Sequence, residues 1–395
     1  MTVEFPAVRI VDETMREGMQ IEDARIPVAR KVELLDALSG TGLRHLVVGS
    51  FVSPRWVPQM ADVERLLERF TPVPGVEYTA LVLNDKGAQR RSRFVPPLTV
   101  DERPRLTVHA CDVFVRRNTN RSQAQEIAAW PGIVEAARAR GARTAAVRLG
   151  AGFGSNWVGD IPFRYGMDLL ARMIGAWTAA GITVDTVWLG DPMGWNTPLR
   201  TERFVTEILR RWPSVRTIHL HLHDQRGAAM VSAYAALRAM PPDTTLVIDA
   251  AVGGIGGCPY CGNGRVTGMI ATEDLVDLLE ESGIPTGVDR NRLIDTALLA
   301  AEILGRELHG RTPLAGPRPR GDRLYPMDLP FIETAEQASH FRCGPSAHAG
   351  AAAPWAEPIA SSQRDLAERY GSLAAAADAA DRDRAATPVS AEFRR

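Results

Sequence analysis

Residues 215–240 read "VRTIHLHLHDQRGAAMVSAYAALRAM". The first ten form a short β-branched and apolar run that ends in Asp224. The rest is an alanine- and leucine-rich segment with helical periodicity. This strand–helix unit is one of eight. The other strand-like runs are "AVRIVD" (7–12), "LRHLVVGS" (43–50), "EYTALVL" (77–83), "LTVHACD" (106–112), "ARTAAVRLG" (142–150), "TVDTVWLGD" (183–191) and "TLVIDAAVGG" (245–254). Helical stretches such as "IPVARKVELLDALSGTG" (26–42) and "TEDLVDLLEESG" (272–283) alternate with them. Repeated βα units imply a parallel sheet, and eight within about 280 residues predict a closed (β/α)8 TIM barrel. The strands read as apolar on both faces, as a helix-covered sheet requires. The rival is an open doubly wound sheet, but no GxGxxG follows the first strand to support a dinucleotide-binding version.

The predicted barrel spans residues 1–310. From 311 to 395 the texture changes to a linker and a C-terminal extension. "TPLAGPRPRGDRLYPMDLP" is rich in proline and glycine. "SQRDLAERYGSLAAAADAADRDRAA" predicts a terminal helix with a weak apolar stripe.

The chain has 395 residues, with 46 basic and 47 acidic side chains and a formal net charge of -1. No global field draws it to nucleic acid or to an anionic membrane, and neither is an expected partner. "RRNTNR" (116–121) is either a local arginine patch or a solvated loop. Four cysteines are too few and too scattered for a disulfide scaffold, which points to a reducing compartment. The N-terminus lacks the basic and apolar regions of a signal peptide, and no run approaches a membrane-spanning length. A cytoplasmic location is expected.

In such a barrel the chemistry lies beyond the C-terminal ends of the strands. Strand one runs into "VDETMREGMQ", with Asp12, Glu13, Arg16, Glu17 and Gln20. Other strand ends carry His109 and Asp112, Asp191, Asp224 and Asp249. His219, His221 and His223 alternate, so their side chains point to one side of a strand. Two imidazoles at i and i+2, completed by a carboxylate from another strand end, suit Zn, Mn, Fe, Co or Mg. His219 lies deeper and is left out of that set. The last strand opens into "GGIGGCPYC" (253–261), which reads as a redox pair, half a zinc site, or a mobile loop carrying one reactive thiol.

Six motifs carry a family resemblance: "MREGMQ" (15–20), "SFVSPRWVPQM" (50–60), "RRNTN" (116–120), "WLGDPMGWNTP" (188–198), "HLHDQRG" (221–227) and "GGIGGCPYCGNGR" with "ATEDLV" (253–276). The chain resembles the metal-dependent lyases and synthases that include hydroxymethylglutaryl-CoA lyase, isopropylmalate synthase and homocitrate synthase. The lyase is the nearest subgroup. The resemblance implies one divalent metal ion (Mg, Mn, Zn or Co) at the barrel mouth, held by His221, His223 and Glu17. It puts a catalytic arginine at Arg16 and a proton-donating thiol at Cys258, with Cys261 as an extra. Counting back from "ATED" puts Met269 at the family's fourth ligand position. Either Asn263, the loop's asparagine, bends in or water fills it. Val47 stands where the lyases carry a glutamate, and "LGAGFGSNWVG" replaces a cysteine-bearing stretch after strand five.

The implied reaction cleaves a 3-hydroxy-3-carboxylic acid or its CoA thioester. Asp191 and Asp224 are candidate bases for the hydroxyl proton, and Asp224 could instead orient a histidine. A Claisen-condensing synthase and a non-catalytic barrel are the alternatives. The expected partners are a small-molecule substrate, with an acyl-CoA among the candidates, and a second copy in a homodimer.

Overall fold

The computed structural model describes residues 4–101, 103–262, 268–329, 331, 334, 355 and 357–386. Asn263 and the stretch "HFRCGPSAHAG", with Cys343 and His348, lie outside them. The chain divides into two compact units, Met1–Pro313 and Leu314–Arg395.

In the first unit, eight parallel strands make one sheet: β1 (Ala7–Asp12), β2 (His45–Ser50), β3 (Glu77–Leu81), β4 (Arg105–His109), β5 (Thr144–Gly150), β8 (Thr183–Asp191), β9 (Thr217–Leu222) and β10 (Thr245–Ala250). Between β5 and β8, a small antiparallel pair forms from β6 (Gly154–Ser155) and β7 (Gly159–Asp160). The order β3-β2-β1-β10-β9-β8-β5-β4 follows the chain around a barrel. All eight strand runs expected from periodicity are present. The ladder is not continuous, however. Among the described residues no ladder joins β3 to β4, the two five-residue strands. Leu98 pairs with Tyr78 there, and Thr99 N donates to Tyr78 O at 2.7 Å.

Helices follow most strands: α1 (Val28–Ser39), α2 (Val63–Leu67), α3 (Asp85–Ser92), α4 (Asp112–Thr119), α5 (Gln123–Ala139), α6 (Phe163–Ala179), α7 (Pro198–Arg211), α8 (Ala229–Ala239), α9 (Thr272–Glu281) and α10 (Arg290–Leu304). Their starts are chemically marked. Ser122 and Gln125 form a reciprocal capping box on α5, and Thr197 caps α7 ahead of Pro198. Arg116–Thr119, read as patch or loop, form the last turn of α4. Asn120 ends it in the left-handed region at φ 55°. None of the described helices is long and apolar enough to cross a membrane.

The two faces of the sheet differ. Leu106, Val108, Val147, Leu149, Val187, Leu189, Ile218, Leu220, Leu246 and Ile248 are buried in one core against the helices. The alternate positions on the barrel's inner side carry Arg148, Trp188, His219, His221 and Asp249. The expectation of strands apolar on both faces therefore holds outside and only in part inside, where Val11, Val47 and Val247 form an apolar cluster. Polar side chains inside are tolerated because they pair with one another.

In the second unit, the expected single terminal helix is two, Ser362–Tyr370 and Leu373–Ala386. Gly371 separates them at φ 80°, a conformation that glycine adopts without steric cost.

The outer core makes a direct prediction. Trp177 of α6 is fully buried and its Nε1 donates to Ala146 O of β5 at 3.3 Å. Trp177→Ala is expected to lose about 3–5 kcal/mol, read as a lowered urea midpoint, and Trp177→Phe clearly less.

Candidate metal centre and barrel mouth

The site starts where β1 ends. Glu13 N bonds Ala250 O at 2.7 Å, which continues the β1–β10 pairing by one residue. The chain then turns sharply through a single π-helical turn, Thr14–Gly18. Asp12 fastens this turn: its carboxylate accepts from Thr14 N at 3.0 Å and from Thr272 Oγ1 at 2.7 Å. Burial raises the Asp12 carboxyl to about 6 despite those bonds. The turn buries Glu17 and sets its Oε1 3.5 Å from His223 Nε2. Arg16 lies between two carboxylates, bonding Glu13 Oε2 through Nε at 2.7 Å and Glu17 through Nη1. Burial opposes its charge, but Glu13, Glu17 and Asp249 outweigh that and hold the guanidinium firmly protonated.

From β9, His219 and His221 both reach Asp249 on neighbouring β10. His221 Nδ1 is 2.7 Å from Asp249 Oδ2, and His219 Nε2 is 2.5 Å from Oδ1. Burial would raise the Asp249 carboxyl, but the two histidines outweigh it and hold it well below the usual carboxylate range. With Nδ1–H donating to Asp249, His221 keeps the Nε2 lone pair free. That atom faces His223 Nε2 at 3.2 Å. Burial, then His221 and Arg16, push His223 well below its ordinary value and keep it neutral.

Glu17, His221 and His223 are all buried, and their donor atoms lie within 4.8 Å of one another. Two imidazole nitrogens and a carboxylate oxygen facing one point can hold a divalent ion. The donor set fits the expected metal.

A stack fixes the His221 ring from the side. The Trp188 ring lies 5.3 Å from it at 26°, and the Arg148 guanidinium sits 3.9 Å over Trp188. Gly190 makes the room: a Cβ there would fall 2.2 Å from the Trp188 ring. Burial and nearby Arg105 lower Arg148 to about 10, which leaves it charged at neutral pH.

The two aspartates expected near the metal differ. Asp191 is fully buried. Its Oδ2 accepts from Asn196 N at 2.5 Å and Nδ2 at 2.8 Å, its Oδ1 has no hydrogen bond, and burial pushes its pKa up. Its backbone carbonyl accepts from His223 N at 3.2 Å. Asp224 instead accepts from Ala229 N at 2.6 Å at the start of α8. The carboxylate that orients a histidine is Asp249, not Asp224. Met269 is buried in an apolar cluster with Ala251 and Ile255, and its backbone bridges to His223. Val47 packs with Val11 and Val247.

The loop after β10 carries Cys258, half-buried, and Cys261, fully buried. Cys261 N closes a turn on Cys258 O at 3.3 Å. Both thiols are free, as is buried Cys111. Burial and the neighbouring Cys258 thiol push Cys261 far up, so it stays a thiol. Gln20, from the segment after β1, donates to Gly257 O at 3.1 Å.

A family model described as HMGL-like matches residues 7–299. The chain belongs to the HMGL-like family. It is 31% identical to the mitochondrial hydroxymethylglutaryl-CoA lyase of Gallus gallus over 315 residues, covering 80% of this chain and 99% of that one. It is 34% identical to the (R)-citramalyl-CoA lyase of Chloroflexus aurantiacus over 322 residues, 79% of this chain and 95% of that one. A solved HMG-CoA lyase from Acinetobacter baumannii, in complex with coenzyme A and 3-methylmalate, superposes with a TM-score of 0.65 at 28% identity. That match covers 83% of this chain and all of that one.

Within this HMGL-like chain, sequence reasoning brought Glu17, His221, His223, Arg16 and Cys258 forward, and it named Asp249 without a role. The signal for Asp249 was present: it ends a strand next to the histidine strand. Trp188 and Gly190 lie in the "WLGDPMGWNTP" motif but were given no role, since a stacked ring reads as core.

The Asp249 bridge is testable by titration with Mn2+. Asp249→Asn is expected to weaken binding roughly 10–100-fold, as loss of a histidine-orienting partner does. Unchanged affinity would remove Asp249 from the site.

Proposed function

We propose that this chain is a divalent-metal-dependent carbon–carbon lyase that cleaves a 3-hydroxy CoA thioester of the hydroxymethylglutaryl-CoA or citramalyl-CoA kind. One observation carries the reading. The Glu17–His221–His223 donor set lies at the strand ends together with Arg16 and below a loop bearing a half-buried thiol. Membership in a family of lyases supports it.

Glu17, His221 and His223 would hold the ion, with Asp249 fixing His221. A bound divalent ion supplies Lewis acidity that orients a chelating hydroxyl and lowers its pKa. The protein's own groups do the rest. Asp191 takes the hydroxyl proton: its Oδ1 has no other hydrogen bond and burial raises its proton affinity. Asp224 is committed to α8 and serves the loop. As the carbon–carbon bond breaks, its electron pair passes to the thioester-bearing carbon and on to the thioester oxygen. Arg16, kept charged by Glu13 and Glu17, stabilises that enolate. The Cys258 S–H then delivers a proton to the carbon, and the other fragment leaves as a ketone or oxo acid.

The test incubates the Mn2+-loaded protein with hydroxymethylglutaryl-CoA and with citramalyl-CoA and follows acetyl-CoA. Cleavage of at least one is expected, abolished by a chelator and by His221→Ala. Cys258→Ala is expected to lose on the order of 10²–10⁴ in kcat, the range for a general acid. Release of free CoA from an acyl-CoA plus a 2-oxo acid, with neither thioester cleaved, would favour a synthase instead.

A further inference from the structure

Cys258 sits in a glycine-rich loop. Among the described residues 257–262, Cys261 N closes a turn on Cys258 O. The surrounding glycines permit many backbone conformations. Side chains outside the loop bear on where the thiol points.

Three side chains from three different strand-end segments bond this loop's carbonyls. Gln20, after β1, donates from Nε2 to Gly257 O at 3.1 Å. Arg117, in α4 after β4, donates from Nε to Tyr260 O at 2.8 Å. Asn156, between β6 and β7, donates from Nδ2 to Cys261 O at 2.9 Å. The carbonyls lie one residue before Cys258 and two and three after it. The thiol is thus pinned from both sides.

Each donor is itself held. The Arg117 guanidinium stacks over Trp157 at 4.5 Å. Trp157 lies against Gly262, where a Cβ would come within 3.0 Å of the indole. Trp195 Nε1 donates to Asn156 Oδ1 at 2.9 Å, which fixes the amide so that its NH2 faces Cys261 O. On the Gln20 side, Gly256 passes close to Glu17 O, with φ at 120° and room for no ordinary side chain. The backbone of the ligand-bearing turn therefore touches the backbone of the thiol-bearing loop.

We propose that Gln20, Arg117 and Asn156 are positioning residues, a latch that holds the Cys258 loop against the mouth of the barrel. Arg117 and Asn156 are exposed, so their bonds compete with water and each is individually weak. A latch of weak, separate bonds closes the loop without sealing it. Substrate entry and product release need only break them in turn. The catalytic consequence rests on the reading of Cys258 as the proton donor; the geometric consequence does not.

The test uses two variants chosen to spare the packing. Asn156→Asp keeps the acceptor for Trp195 and replaces the donor facing Cys261 O with a second acceptor. Arg117→Met keeps an extended side chain against Trp157 and removes the donors. Iodoacetamide labelling is followed on the Cys258 peptide by mass spectrometry, with Cys111 and Cys261 as internal controls because both are buried. Cys258 labelling is expected to accelerate about tenfold in each variant, the order of one lost hydrogen bond made worse by repulsion or vacancy. Cys111 and Cys261 should stay unlabelled, and Mn2+ affinity should be unchanged. With a cleaved thioester in hand, kcat should fall about tenfold and KM stay within twofold, and Arg117→Lys should recover part of the loss.

Cys258 labelling within twofold of wild type in both variants would overturn the latch. Labelling of Cys111 and Cys261 together with Cys258 would show a loss of fold and also count against it. Full activity of Cys258→Ala would overturn the proton-donor reading alone and leave labelling to decide the latch.

Discussion

Asp249 is the constraint on which the site depends. It is a carboxylate in the barrel's interior, 2% exposed, with a histidine on each oxygen. Left alone there, it would be neutral or would not be there. His219 and His221 keep it charged, and in return it selects the His221 tautomer that leaves Nε2 free. The rest follows in sequence. With its lone pair free, His221 presents Nε2 to His223, and the π-helical turn after β1 brings Glu17 against the same point. Three strands, β1, β9 and β10, are adjacent in the sheet, so their ends supply one small cluster without any long loop.

The charges inside the barrel oppose one another, two positive groups against three negative ones. Arg16 and Arg148 answer Glu13, Glu17 and Asp249, and Arg148 is shielded by the Trp188 ring. The glycine at 190 belongs to this design. It removes a Cβ at the level of His221 and lets the Trp188 ring, anchored two residues earlier, rise into the gap. A larger residue would displace the ring that backs His221. Rigidity of the His221 ring therefore comes from a hydrogen bond on one edge of the imidazole and an aromatic plane on its face.

What the sequence made legible divides along physical lines. Strands and most helices were readable because their apolar spacing repeats locally. The alternation of His219, His221 and His223 was readable because a strand has a period of two. The open seam between β3 and β4 was not, since pairing of edge strands depends on closure of the whole sheet. Nor was Asp249's role, because only the register of β10 against β9 puts it opposite the histidines. Asp224 looked equally suited by position, but the chain turns after His223 and spends that carboxylate on Ala229 N. The C-terminal helix was read as one because its alanine pattern hides the break at Gly371.

The same distinction separates the two cysteines of the CPYC stretch. Spacing alone makes two cysteines a redox or zinc pair, but spacing says nothing of burial. Cys261 is fully enclosed in a cluster with Cys111, Phe114, Ala151 and Met193, and its thiol is driven strongly toward the protonated form. Cys258 remains partly open, next to the loop carbonyls that Gln20, Arg117 and Asn156 hold. Of two chemically identical residues, burial encloses one and leaves the other partly open. The loop's glycines then need no fixed conformation of their own, because the partners that fix it lie on the rim of the barrel.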